Sequence, residues 1–406
     1  MIYHTYQSHA DALQPFRTIA EAVAPVFRDA RGGLKGWIPL RRLAAACELI
    51  ALARLTHRRP PFGIGAVTVG RREVSVREER ACGTPFATLL HFRKDIRAAQ
   101  PRVLLLAPMS GHFATLLRET VRTMMADHDV YVTDWHNARD VPVAAGRFGF
   151  DEYVEHIIGF LEAIGPGAHL MAICQPCVQA LAAVAVMSGN GHPATPRSLT
   201  LMAGPIDCRI TPTRVNELAT SHSIEWFEHN LVTSVPARHA GSDRRVYPGF
   251  LQLAAFVNMN LERHINSFRE LYENLVKGDV EKANAARSFY QEYFAVADLP
   301  AEFYLETVRL VFQEHALPLG KLKFRGDAVD PRAIRRTALL TVEGERDDIC
   351  SLGQTLAAQD LCGGLKQYLK THYIQAGAGH HGVFSGKRWS NQIYPVVRDV
   401  IYSSES

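Results

Sequence analysis

A chain of 406 residues, 47% apolar and 21% charged, has the make-up of a folded globular protein with room for one enlarged domain or two. Its formal charge of +4 is mild and no basic run is interleaved with aromatics, which argues against a nucleic-acid partner. The seven cysteines are odd in number and scattered; the one close pair, Cys174 and Cys177, lacks the second Cys or His pair of a zinc site, so no metal is expected and a reduced compartment suits the chain.

The start, Met1 to His9, is polar and gives no secretory signal, and no segment reaches the roughly 18 uninterrupted apolar residues of a membrane span. Residues 1–60 read as helical, with apolar side chains at helical spacing over 20–27 and 40–55 and Pro39 suited to a helix start. Pro60-Pro61 marks a stop. Residues 62–90 then alternate apolar and polar, as strands separated by turns at Gly70 and Gly83, and 71–80 reads as a solvated strand face.

Residues 103–108 form a continuous apolar run, as expected of a central parallel strand covered on both faces. A loop, Met109-Ser110-Gly111-His112, and a helical pattern follow it. Residues 129–135 predict the next strand, ending in a polar loop, and 150–164 an amphipathic helix closed by Gly165-Pro166-Gly167. Residues 169–174 predict a strand that turns at Pro176 into a helix running to Met187, and 199–205 another buried strand. From about 207 to 330 the alternation stops and the chain becomes helical and rich in aromatics, most of them suited to packing. Strands return at 338–345 and 370–374, and a helix over 391–401 closes the chain.

This succession predicts an α/β-hydrolase fold: a mostly parallel sheet covered by helices. The expected division is a helical N-terminal segment at 1–60, a core at 61–206 and 331–406, and a mostly helical lid or cap at 207–330.

The chemistry gathers at strand ends. Ala172-Ile173-Cys174-Gln175-Pro176 reads as a nucleophile elbow with Cys in place of Ser, although a Cys at a strand end is more often a packed small hydrophobe. An acid and a base are wanted later in the chain, each after its own strand. Asp347-Asp348 and His380-His381 stand in those places. His380 would draw Cys174 toward the thiolate, helped by the helix N-terminus, and Asp347 would fix the imidazole tautomer. The oxyanion needs two donors: the backbone N–H of Gln175 and one from Met109 or Ser110, where Gly111 allows close approach. His112 either lines that loop or caps the next helix. Trp135, Val383 and Phe384 are candidates to line an apolar mouth, and each fits plain packing as well.

These motifs carry a family resemblance. Ala107-Pro108-Met109-Ser110-Gly111-His112, Cys174-Gln175-Pro176, Gly204-Pro205-Ile206-Asp207, Val342-Glu343-Gly344-Glu345 with Asp347-Asp348-Ile349, and Gly379-His380 with Gly382-Val383-Phe384 resemble intracellular poly(3-hydroxybutyrate) (PHB) depolymerases along nearly the whole chain. The resemblance implies a Cys174–Asp347–His380 triad acting on amorphous polyester in storage granules. Cys177 and Cys350 depart from it, standing where Thr and Ser are common. Cys177 leaves the nucleophile open on the motif alone, while Pro176 at a helix start favours Cys174. The similarity to polyester synthases, whose pattern is Asp-x-Ile, favours Asp347 over Asp348.

The function so implied is hydrolysis of PHB through an acyl-thioester enzyme to 3-hydroxybutyrate oligomers or monomers, with no cofactor, by a cytoplasmic, granule-associated protein. The expected partner is the polymer or granule surface. Homo-oligomer formation is left open. The alternatives are thiolysis to hydroxyacyl-CoA, synthase-type acyl transfer, and a non-catalytic granule-binding protein.

Overall fold

The alternating segments and the apolar runs join in one nine-stranded sheet. In the computed structural model the described residues are 2–28, 38–96, 99–259 and 261–405; parts of the expected N-terminal segment (1 and 29–37), residues 97–98, residue 260 of the insertion and residue 406 lie outside them. The strands are β1 (Ala66–Val69), β2 (Arg72–Gly83), β3 (Ala87–Lys94), β4 (Arg102–Leu106), β5 (Asp129–Trp135), β6 (His169–Ile173), β7 (Ser198–Met202), β8 (Ala338–Gly344) and β9 (Lys370–Gln375). Their spatial order is β1-β2-β3-β5-β4-β6-β7-β8-β9. From β1 to β5 neighbours are antiparallel, and from β5 to β9 all are parallel.

Sequence explains the change of pattern across the sheet. β2 alternates exposed charged and buried residues because one face is in water. β6, β7 and β8 are buried at every position, which demands helices on both faces and uninterrupted side chains such as Leu170-Met171-Ala172-Ile173. Helix Phe150–Ile164 supplies one cover with Phe150, Tyr153, Val154, Ile157, Phe160, Leu161 and Ile164 on its inner stripe, and stops at Gly165 with φ +92°. Helix Cys177–Gly189 is apolar nearly all round and buried nearly all round.

The chain leaves β4 for β5 on one side, then crosses back to β6 on the other. The loops after β4 and β6 therefore diverge at a switch point, where the carboxyl ends of the strands leave a crevice. This is where the elbow and the 109–112 loop lie.

Between β7 and β8 come helices Arg214–Thr220, Ile224–Leu231, Gly249–Met259, Leu261–Lys277, Val280–Tyr293 and Ala301–Thr307, with a small sheet of Thr233–Ser234, Arg245–Tyr247 and Leu299–Pro300. The described part of the N-terminal segment forms two helices. Helix Ile38–Leu52 matches the apolar spacing, but Ile2–Arg28 is a single helix that continues through Pro15 and Pro25. Each proline removes one intrahelical bond. Tertiary anchoring holds the start: Tyr3 is fully buried, its hydroxyl donates to Asp298 at 2.6 Å, and Tyr6 stacks on Phe250 at 4.0 Å. Among the described residues no helix is long and apolar enough to cross a membrane.

Candidate active site

β6 ends at Ile173, and Cys174 follows in the left-handed region with φ +64°, a conformation a non-glycine residue adopts only where the surroundings enforce it. Enforcement comes from both sides. The Cys174 N–H donates to the Met202 carbonyl at 2.8 Å, and the Cys174 carbonyl accepts from Cys177 N–H at 3.2 Å. Gly204 makes room: a Cβ there would stand 2.3 Å from Cys177 Sγ. Pro176 caps the helix that begins at Cys177, so Cys174 stands free of the helix while Cys177 is its first, fully buried residue. Cys177 Sγ lies 3.4 Å from the Ala172 carbonyl, and burial raises its pKa well above the usual thiol range.

Asp347 and His380 meet at the same end of the sheet. His380 Nδ1 is 2.8 Å from Asp347 Oδ2, and both residues are buried. Asp347 Oδ1 accepts the N–H groups of Ile349 and Cys350, both at 2.9 Å, so both carboxylate oxygens are engaged. Asp348 is exposed. Cys174 lies close enough to the imidazole to act on its charge. Burial opposes a charge on His380, but Asp347 and Cys174 outweigh it and hold its pKa well above the ordinary histidine value. His381 goes the other way: burial, then the neighbouring His380, His112 and Arg263, bring it down to about 3.

Two glutamates that sequence reasoning left without a role support this geometry. Glu343 of β8 is 1% exposed, and its Oε1 accepts the N–H groups of Gly353, Thr355 and Leu356 at 2.8–3.0 Å, closing the acid loop on itself. Glu345 Oε2 accepts the Gly377 N–H at 2.6 Å, just before the His380 loop. The available signal was a carboxylate inside an apolar strand, where only a fully bonded one is stable.

The 109–112 loop is held by the insertion. Gly111, with φ +91°, has its carbonyl bonded by Ala297 N–H at 2.9 Å, and His112 Nε2 lies 3.1 Å from the Tyr293 carbonyl. His112 is buried, stacks on Tyr293 and Phe256, and its burial lowers its pKa to about 4, so it is neutral at neutral pH. It ties the loop to the insertion instead of capping a helix. The Met109 N–H donates to Gln175 Oε1 at 3.1 Å, and Ser110 is half-buried beside it.

Of the candidate lining residues, Trp135, Val383 and Phe384 are closed into the main core. The Trp135 indole donates to the Ala107 carbonyl at 2.9 Å and packs on Tyr153 and Phe148. Phe384 sets its edge against His380, with ring centres 5.7 Å apart. The open space lies elsewhere: a cavity of about 360 Å³ beside Asp348, lined also by Thr213, Arg214 and Met259 of the insertion.

A parallel sheet entered by an antiparallel edge, with a strained nucleophile-type residue at a strand-to-helix turn and acid and base after later strands, defines an α/β-hydrolase. A family model described as PHB de-polymerase C-terminus matches residues 203–405, half of the 406 residues, and the chain belongs to that family. Fold and family together make it a carboxylic ester hydrolase by class. No curated protein matches the sequence. Among solved structures, the chain is similar to a thermophilic esterase from Thermogutta terrifontis at 12% identity and TM-score 0.42, over 84% of this chain and 98% of that one. It is similar also to a monoacylglycerol lipase from Paleococcus ferrophilus at 14% identity and TM-score 0.43, over 75% and 96% of the two chains. These likenesses are weaker than the strand order itself, on which the fold class rests.

Proposed function

We propose that the protein hydrolyses PHB or a similar short-chain polyhydroxyalkanoate with Cys174 as nucleophile, His380 as acid and base, and Asp347 as the group that orients His380. The observation that carries this reading is the buried Asp347–His380 pair beside Cys174, whose own backbone is strained at the elbow. The proton of this pair is on His380 as the Cys174 sulfur attacks.

Its sulfur attacks the ester carbonyl carbon, and the C=O electron pair moves to oxygen. That oxyanion is received by the Gln175 and Met109 N–H groups. As the carbonyl reforms, the C–O bond to the departing chain breaks and His380 gives its Nε2 proton to the alkoxide. The product is an acyl-thioester enzyme. His380, now neutral, takes a proton from water as the water oxygen attacks the thioester. Release of the hydroxyacid restores the starting Cys174–His380 pair. No step requires a metal or cofactor.

Residues 207–330 serve in this reading as the cap, with 1–60 braced against it and 61–206 with 331–406 as the catalytic core. The polymer chain enters through the cavity bounded by Thr213, Arg214, Met259 and Asp348. The working site is the surface of amorphous granules in the cytoplasm.

The deciding experiment incubates purified protein with amorphous PHB granules, with and without coenzyme A, and identifies the soluble products. Free 3-hydroxybutyrate or its oligomers without coenzyme A is the expected result. Protein that binds granules and releases nothing overturns the hydrolase reading, and hydroxyacyl-CoA formed only with coenzyme A replaces water by a thiol acceptor.

A further inference from the structure

Gln175 has a side chain as well as a backbone N–H, and the mechanism above uses only the latter. In the structure its Oε1 accepts the Met109 N–H at 3.1 Å, so one donor assigned to the oxyanion is already occupied by a carbonyl oxygen. The same amide group buries its Nε2, which finds no hydrogen-bond partner among the described residues. A buried amide nitrogen left unpaired is costly, and such costs collect where a group is meant to move.

We propose that the Gln175 side chain is an internal stand-in for the substrate carbonyl: it fills the oxyanion site of the resting enzyme and is displaced when an ester enters. The inference rests on the mechanism proposed above. An amide carbonyl and an ester carbonyl are both neutral sp² acceptors, so the exchange is nearly even in the ground state. Once Cys174 has attacked, the oxygen carries a charge and its hydrogen bonds strengthen to roughly twice those of a neutral acceptor. Gln175 cannot match that. The latch therefore costs the bound ester and the transition state the same opening free energy, which raises KM without lowering kcat. Swinging out also returns Nε2 to water or to a neighbouring ester oxygen, which removes the unpaired donor.

The competing role is a permanent strut that holds the 109–112 loop. That loop already has other anchors: the Ala297 N–H on the Gly111 carbonyl, and His112 on the Tyr293 carbonyl, with Val296 bridged to His112. Against those, one neutral hydrogen bond from a side chain with an orphaned nitrogen adds little to the loop's position.

The test uses Gln175→Ala and Gln175→Met, the second keeping the length of the side chain without its amide. Both retain the backbone N–H. The probe is a trifluoromethyl ketone analogue of a butyrate ester, to which the thiolate adds to leave an oxyanion. A latch predicts binding about fivefold tighter in both variants, a lower KM for a soluble nitrophenyl butyrate, and faster amide exchange at Met109. Weaker inhibitor binding, a fall in kcat at constant KM, or unchanged values in both variants would overturn the proposal. Cys174→Ala is run alongside. Activity persisting there would sink the nucleophile assignment, while the KM shift in the Gln175 variants still judges the latch by itself.

Discussion

Asp347 grips His380 with one carboxylate oxygen, Oδ2 at 2.8 Å from Nδ1, while its other oxygen is fixed by the N–H groups of Ile349 and Cys350. The carboxylate can neither rotate nor drift, so the imidazole it orients is fixed too. Burial disfavours the imidazolium, and Asp347 with Cys174 more than reverses that, so His380 keeps its proton well above pH 6.5. The stabilisation from protonated His380 is fully present below its unfolded pKa and is lost as pH rises through the raised folded one. In the mechanism proposed above, the same proton is the one given to the leaving alkoxide. The alkaline limb of kcat/KM therefore lies above the ordinary histidine range. Asp347→Asn removes the anion, moves that limb to lower pH and lowers kcat about 10²-fold or more. A pH–rate profile of both proteins checks this; an alkaline limb that does not move would remove Asp347 from the mechanism.

Two cysteines three residues apart invite a direct comparison. Cys174 is half-buried in a strained turn beside His380, and Cys177 is sealed under the elbow with its thiol pushed up by burial. Cys174→Ala is expected to lower ester hydrolysis by at least about 10³-fold. Cys177→Ala should keep the activity and lose ~1 kcal/mol of stability from the missing sulfur. Active-site alkylation by a small haloacetamide should label Cys174 alone at short times, and preferential labelling of Cys177 would reverse the assignment.

Glu343 gives a prediction about support instead of chemistry. Its Oε1 gathers three backbone N–H groups, and Thr355, in the loop it closes, bonds both the N–H and the carbonyl of Gly204. Glu343→Gln turns one of those acceptors into a donor that faces donors. The expected loss is ~1–3 kcal/mol in unfolding free energy, with kcat reduced more than KM because the Asp347 loop loosens. A variant equally stable and equally active would show that the loop holds without it.

The sheet was readable in the sequence because strands buried on both faces must be written in unbroken apolar runs, as at 103–108 and 169–174, and edge strands in alternation, as in β2. Cys174, Asp347 and His380 could be nominated because each follows such a run. What sits under a site is less legible. Trp135 and Val383 look like substrate-facing residues by position, yet a loop's sequence does not record which of its apolar side chains turn inward. The partners that hold helix Ile2–Arg28 through its two prolines, those of Tyr3 and Tyr6, were not legible for a related reason. Asp298, distant in sequence from all it touches, carried no local signal.

That aspartate links the outer helices to the oxyanion loop, and its titration should be measurable. Asp298 is fully enclosed, accepts hydrogen bonds from the Tyr3 hydroxyl and the Gly249 N–H, and directly follows Ala297, whose N–H holds Gly111. Burial raises its pKa to about 6, with Tyr3, Gly249 and Arg139 pulling the other way. Because the folded pKa lies above the unfolded one, its stabilising effect is present at low pH and is lost as pH rises toward and through about 6. Above that, the enclosed anion costs ~3 kcal/mol against the acid form. Asp298→Asn keeps an acceptor for Gly249 and cannot ionise. The Asp298 share of the wild-type pH dependence, a fall in Tm of ~1.5 °C between pH 5 and pH 7.5, should therefore be absent in the variant. Thermal unfolding at the two pH values decides it. Equal slopes in both proteins would mean that Asp298 does not change its protonation in this range, and that the clasp between the N-terminal helix and the oxyanion loop is insensitive to pH.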